Sequence, residues 1–143
     1  MIEWFERQFP SAVGRYAKTS DEDEEYNCIA WAATGEKSEW WSHGPGYKWP
    51  AANRSPLVGS LVAVFLGLGF EERPPEDTAV EPGFEKVALY ARHGMWKHAA
   101  RQKTDGKWTS KLGPDEDIDH DSPECLCGDS YGVVHCIMRR ARG

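Results

Sequence analysis

Cysteine is scarce in this chain. Four residues in 143 are too few for the disulfide framework that holds small secreted scaffolds together, so they read as thiols. Long hydrophobic runs are missing too. The longest charge-free apolar stretch, Leu57 to Phe70, has 14 residues and is broken by glycine, short of the roughly 18 or more that cross a bilayer. That excludes a membrane role and predicts a buried helix. The first residues, Met-Ile-Glu-Trp-Phe-Glu-Arg, lack the basic and apolar regions of a secretory signal, so the expected location is the cytoplasm. Positive charge is in deficit, with 17 Lys plus Arg against 23 Asp plus Glu and a net charge of −6. An acidic chain is repelled by a phosphate backbone, which excludes nucleic acid as the main partner. No repeat or low-complexity segment is present.

What the chain does have is material for one core: 40% hydrophobic residues, 12% aromatics and seven tryptophans. Its length suits a single domain over residues 1–143. Ile2, Trp4, Phe5 and Phe9 fall on one side of a short helix that Pro10 closes. The acidic run Asp21 to Glu25 leads into Tyr26-Asn27-Cys28-Ile29-Ala30-Trp31-Ala32-Ala33, and Gly35 follows, which predicts a helix with Cys28 near its amino end. Ser55-Pro56 reads as an N-cap with Pro at the first helical position of a core helix carrying Leu57, Leu61, Val64, Phe65 and Leu68. From Phe84 the period becomes two. Val87 to Ala91, Met95 to Gln102 and Lys107 to Leu112 are expected as antiparallel strands, with a last strand at Val133 to Met138 and a surface loop at Gly113 to Gly128. The fold class expected is α+β, amino-terminal helices packed on an antiparallel sheet.

A cysteine at a helix start is chemically special, because the unpaired N–H groups and the helix dipole favour the thiolate. A thiolate nucleophile also needs an imidazole to hold the ion pair and protonate the leaving group. His98, on the second expected strand, is the candidate. Asn27 could help hold an oxyanion beside the Cys28 N–H. Trp40, Trp41 and Trp49, in a loop rich in Gly and Pro, could line a cleft for a peptide or sugar.

The order of these parts, a helix opening with Cys followed by a helix and then an antiparallel sheet carrying His, resembles the papain-like cysteine hydrolases, including small bacterial amidases and cell-wall endopeptidases. The segments YNCIAWA, KVALYA, HAARQ, DGKWTSKLG and DIDH are also similar to an uncharacterised bacterial domain family associated with that superfamily, over about Tyr26 to Met138. The resemblance implies a papain-like plan with Cys28 as nucleophile and His98 as base. In the protease register, Thr109-Ser110-Lys111 puts Ser110 where an Asn is usual. In the endopeptidase register, Lys86 takes the catalytic His position and His98 the orienting one, which would leave an altered or inactive site. His120, flanked by Asp117 and Asp119, is the other candidate third member.

The expected activity is that of an intracellular peptidase, amidase or deamidase working through an acyl-thioester on a peptide or protein, with no cofactor. The alternative is an inactive module that binds a protein partner. A third possibility, structural zinc, draws on His120, Cys125, Cys127, His135 and Cys136. Its spacing is tighter than usual for zinc, and adjacent His135 and Cys136 would point to opposite faces of a strand. No metal is therefore expected.

Overall fold

A computed structural model describes residues 2–20, 28–34, 42, 49, 54–111 and 117–142. Helix α1 (Ile2–Gln8) and a 3-10 turn (Pro10–Ala12) lead into strand β1 (Tyr16–Ser20). Helices α2 (Cys28–Thr34) and α3 (Val58–Gly67) come next, followed by β2 (Glu71–Arg73), β3 (Phe84–Arg92), β4 (Met95–Gln102), β5 (Trp108–Lys111) and β6 (Asp117–His120). A second 3-10 turn (Pro123–Leu126) and the long β7 (Val133–Ala141) complete the order. The seven strands form one sheet, β1-β6-β5-β4-β3-β7-β2, and every neighbouring pair is antiparallel.

The β3–β4 hairpin turns on His93 and Gly94, both at positive φ (54° and 79°). That is the signature of a two-residue turn whose twist matches the strands. Residues on both faces of the central strands are buried. Val87, Leu89, Ala99, Cys136 and Met138 meet α2 and α3 on one face, with Ile29, Leu61, Val64 and Phe65. Ala88, Tyr90, Ala100, Trp108 and Ile118 meet Phe5, Phe9, Cys125 and Leu126 on the other. Helix α3 follows its apolar spacing and ends at Gly69 (φ +93°), where Phe70 turns its ring edge onto Phe65 (5.3 Å between centroids).

The expected α+β class is corrected to mainly β. The seven-stranded sheet dominates, α1 and α2 are seven residues each, and among the described residues only α3 reaches ten. The amino-terminal helices do not form one layer, because α1 lies against the face opposite α2 and α3. The first turn of α3 also differs: the cap position is Leu57, not Ser55. The Ser55 hydroxyl instead accepts the Leu57 N–H at 3.2 Å and pairs with Ser60 Oγ at 2.6 Å. From residue 117 the expected surface loop is strand β6 and a buried turn, with Cys125 and Leu126 at 1% and 0% exposure. Alternation in Asp117-Ile118-Asp119-His120 sets Ile118 and His120 inward, a two-residue period that acidic composition conceals. No helix among the described residues is long and apolar enough to cross a membrane.

Candidate functional site

Cys28 is the first residue of α2 and is buried in one apolar cluster with Ala99, whose backbone N–H is directed at its sulfur. Burial pushes its thiol up to about 11, outweighing backbone N–H groups of Ala99, Ile29 and Cys28 and the charge of Lys111, all of which favour the thiolate. The thiol is therefore protonated at neutral pH, the ordinary state of a cysteine in apolar surroundings.

His98 stands opposite Tyr90 in the β3–β4 ladder and has no exposed surface. Its ring lies flat on Tyr131, 4.2 Å between centroids and 2° between planes, with Tyr90 at 5.3 Å. Among the described residues neither ring nitrogen has a hydrogen-bond partner. Burial, and secondarily the nearness of His120, hold its pKa well below the usual imidazole value, so the ring is neutral.

Ser110 on β5 and His120 on β6 form a connected pair. His120 Nδ1 lies 2.8 Å from the Ser122 carbonyl, which can only accept, so Nδ1 carries the proton. Nε2 is then the acceptor for the Ser110 hydroxyl at 2.8 Å. Burial lowers His120 to about 4, with the Ser122 carbonyl and then Asp119 and Asp121 acting in the other direction. Both side chains are closed off, at 0% and 1% exposure. Tyr90 Oη donates to the Pro123 carbonyl at 2.6 Å and pins the 3-10 turn over them.

The structure thus gathers His98, Ser110 and His120 on one face and leaves Cys28 on the other. Successive strand residues point to opposite faces; Cys28 packs on the Ala99 side, and His98 is on the Ala100 side. The expected Cys28–His98 pairing is not assembled, and neither candidate third residue, His120 or Ser110, lies on the Cys28 face. Lys86, the residue at the alternative His position, is fully buried. Its ammonium donates to Asp77 Oδ1 (2.8 Å) and to the carbonyls of Ala79 (2.7 Å) and Asp77 (3.2 Å), and meets Glu81 at 2.8 Å. Hydrogen bonding to Lys86 holds the Asp77 and Glu81 carboxyls below their usual range. Lys86 therefore tethers the Pro74–Pro82 connector to the sheet.

Trp49, expected in a cleft wall, is a core residue at 5% exposure, stacked on Trp96 at 5.6 Å. Asn27, Trp40 and Trp41 lie outside the described residues. The zinc set is dispersed: His120 is bound to Ser110 and Cys125 belongs to the α1 side, whereas Cys136 belongs to the α3 side. All four cysteines are free. A small cleft of about 120 Å³ opens beside β1, between Arg15, Tyr16, Lys107, Asp119 and Asp121. Sequence reasoning missed that cleft, because β1 and β6 are short polar strands with little period to read.

One family model, described as a domain of unknown function (DUF7689), matches residues 17–139. No curated protein and no solved structure matches the chain.

Proposed function

Since the chain belongs to that family of unknown function, its role has to come from its own geometry, and we propose that it is a protein-binding module without a working cysteine dyad. The observation that carries this is the separation of Cys28 from His98 by the sheet, with one thiol and one imidazole each buried and neutral. The four free thiols suit a reducing compartment, which supports the cytoplasm as the place of action.

The surface offered to a partner is the free edge of β1. The other edge strand, β2, has only three residues, is followed by Pro74 and Pro75, and carries Glu71 bound to Arg139, the usual devices that keep an edge from pairing. Among the described residues β1 pairs on one side only. The Arg15 carbonyl accepts the Asp121 N–H, so by antiparallel alternation Tyr16 and Lys18 turn their backbone groups outward. An extended segment of a protein partner would add there as an eighth strand, with the Arg15, Lys107, Asp119 and Asp121 cleft beside it.

A second possibility, a hydrolase working through Cys28, is favoured by the three backbone N–H groups that converge on its sulfur and by the Lys111 charge.

Alkylation of Cys28 across pH, followed by mass spectrometry of the labelled peptide in wild type and His98→Ala, separates the two. Slow labelling that rises only in alkaline solution, and is unchanged by His98→Ala, is the expected result. Fast labelling near pH 6 that is lost in His98→Ala would overturn it in favour of a dyad. For the edge, Lys18→Pro removes one outward N–H and leaves the β6 ladder intact. Peptides selected for binding the wild-type chain should lose that binding in Lys18→Pro, and equal binding to both would move the docking surface elsewhere.

A further inference from the structure

Three metal-binding side chains of different chemistry, none of them among the residues discussed as catalytic, meet where β2 pairs with β7. The carboxylate of Glu72, a ring nitrogen of His135 and the Cys136 sulfur all lie within 4.8 Å of one another. The sequence alone opposes this, because neighbours in a regular strand face opposite ways. The ladder explains it. Leu89 pairs with Cys136, but the next residue, Tyr90, pairs with Val134, so His135 is the extra residue of a β-bulge. A bulge sets two residues against one and bends the strand, and here it brings His135 round to the Cys136 side. Glu72 arrives from β2, where it stands opposite Met138, two residues along from Cys136 and on the same face.

We propose that Glu72, His135 and Cys136 bind a thiophilic d10 metal ion, Zn²⁺ or Cu⁺. On a tetrahedral zinc the ligand atoms are separated by about 3.3–3.8 Å, a distance these side chains reach by small rotations. A fourth donor is at hand: Cys136 Sγ lies 3.7 Å from the Met138 thioether sulfur. Glu72 and His135 are exposed and Cys136 is buried, so the ion enters from solvent and settles against the core, with room on its outer side for water or another ligand. Glu72 makes no ion pair among the described residues, whereas its neighbour Glu71 is held by Arg139. Metal binding is a proton exchange at Cys136: the metal–sulfur bond forms as the S–H bond breaks, and the proton leaves to solvent. Oxygen and nitrogen donors suit Zn²⁺; the thiolate, thioether and imidazole suit Cu⁺.

Titration of the full-length reduced chain with Co²⁺ is the first test, because a cobalt–thiolate bond has its own charge-transfer absorption. One equivalent should produce that band, and Zn²⁺ should displace it. His135→Ala alters an exposed residue, leaves the core in place, and should weaken binding by at least about tenfold. Cys136→Ser should abolish the band, and Cys127→Ser should leave it unchanged. Competition under anaerobic conditions identifies the ion: loss of affinity mainly in Glu72→Gln indicates Zn²⁺, and loss mainly in Met138→Leu indicates Cu⁺. No thiolate band, or a band that survives His135→Ala and Cys136→Ser, overturns the site.

Discussion

Replacing Lys86 with Met keeps most of the buried aliphatic chain and removes one ammonium, so the change tests the tether with little change in packing volume. Four acceptors lose a donor. The carboxylates of Asp77 and Glu81 are partly open to water and retain Arg73 and Arg139; no share of the cost is assigned to them. The carbonyls of Asp77 and Ala79 lose their bonds at 3.2 Å and 2.7 Å. Bonds to a charged group contribute about 1.5–3 kcal/mol each. With partial rehydration, the expected loss is about 2–4 kcal/mol, below the cost of stranding a fully buried charge. For a domain of this length that lowers Tm by roughly 6–14 °C. Urea unfolding followed by tryptophan fluorescence reads it directly, as a fall in midpoint at unchanged slope. The pH dependence has a definite sign. Asp77 and Glu81 are depressed in the folded state, so their pairing with Lys86 stabilises fully above the ordinary carboxylate range and is lost as the pH falls below it. Any part of the gap between wild type and Lys86→Met that the carboxylates add should disappear under acid conditions, while the part carried by the two carbonyls remains. A loss under about 0.5 kcal/mol at pH 7, or a gap that widens in acid, would refute the tether.

His98→Phe should raise stability at pH 7 by about 1–2 kcal/mol, since it removes two unpartnered ring nitrogens and keeps a ring on Tyr131; a loss of stability would mean that the imidazole is paired. Because burial lowers His98 and His120 in the folded state, wild-type stability is full above about pH 6.5 and falls as the pH drops from there, for His120 down to about 4. His98→Phe should flatten that slope by up to about 1.4 kcal/mol per pH unit, checked by urea unfolding at several pH values. Gly132→Ala would set a Cβ 2.1 Å from the Ala91 carbonyl oxygen at φ +79° and should cost about 3 kcal/mol or more. Gly94→Ala meets nothing within 4 Å and should cost about 1 kcal/mol; equal costs in thermal unfolding would contradict the close approach.

The strands that carry most of the sheet are legible in the sequence because apolar residues recur in them with a period of two beside turns that contain glycine. β3, β4, β5 and β7 all lie close to where the two-residue period puts them, and α3 follows its apolar spacing. β1 and β6 are not legible: charged and polar residues dominate both, and the acidic neighbours mask the inward Ile118 and His120. The parity of β4 is plain, His98 and Ala100 one way and Ala99 the other, yet parity does not say which face α2 will cover. Ala99 and Ala100 are both fully buried, so the polar side that normally marks the outside of a sheet is absent. That is why the partnership of Cys28 with His98 looked sound from the sequence and is not formed in the fold. The Glu72, His135 and Cys136 cluster was hidden for a different reason. It depends on one extra residue in a ladder, and a bulge leaves no mark in composition.

The order of the strands in space also constrains how the chain can be assembled in time. β1 and β2 are translated early yet form the two margins of the sheet, whereas β3, β4 and β7 lie between them and come later. β1 must wait for β6, about a hundred residues on, before it can make a ladder bond, and β2 must wait for β7. Pairings of such long sequence separation close slowly. A ribosome-bound chain truncated before residue 84 therefore has no central strand to build on, and its helices stay without a sheet to cover. Cooperative folding of the sheet waits for the synthesis of β7, and until then Phe65, Phe70 and the other apolar residues of the first half have no sheet to cover them.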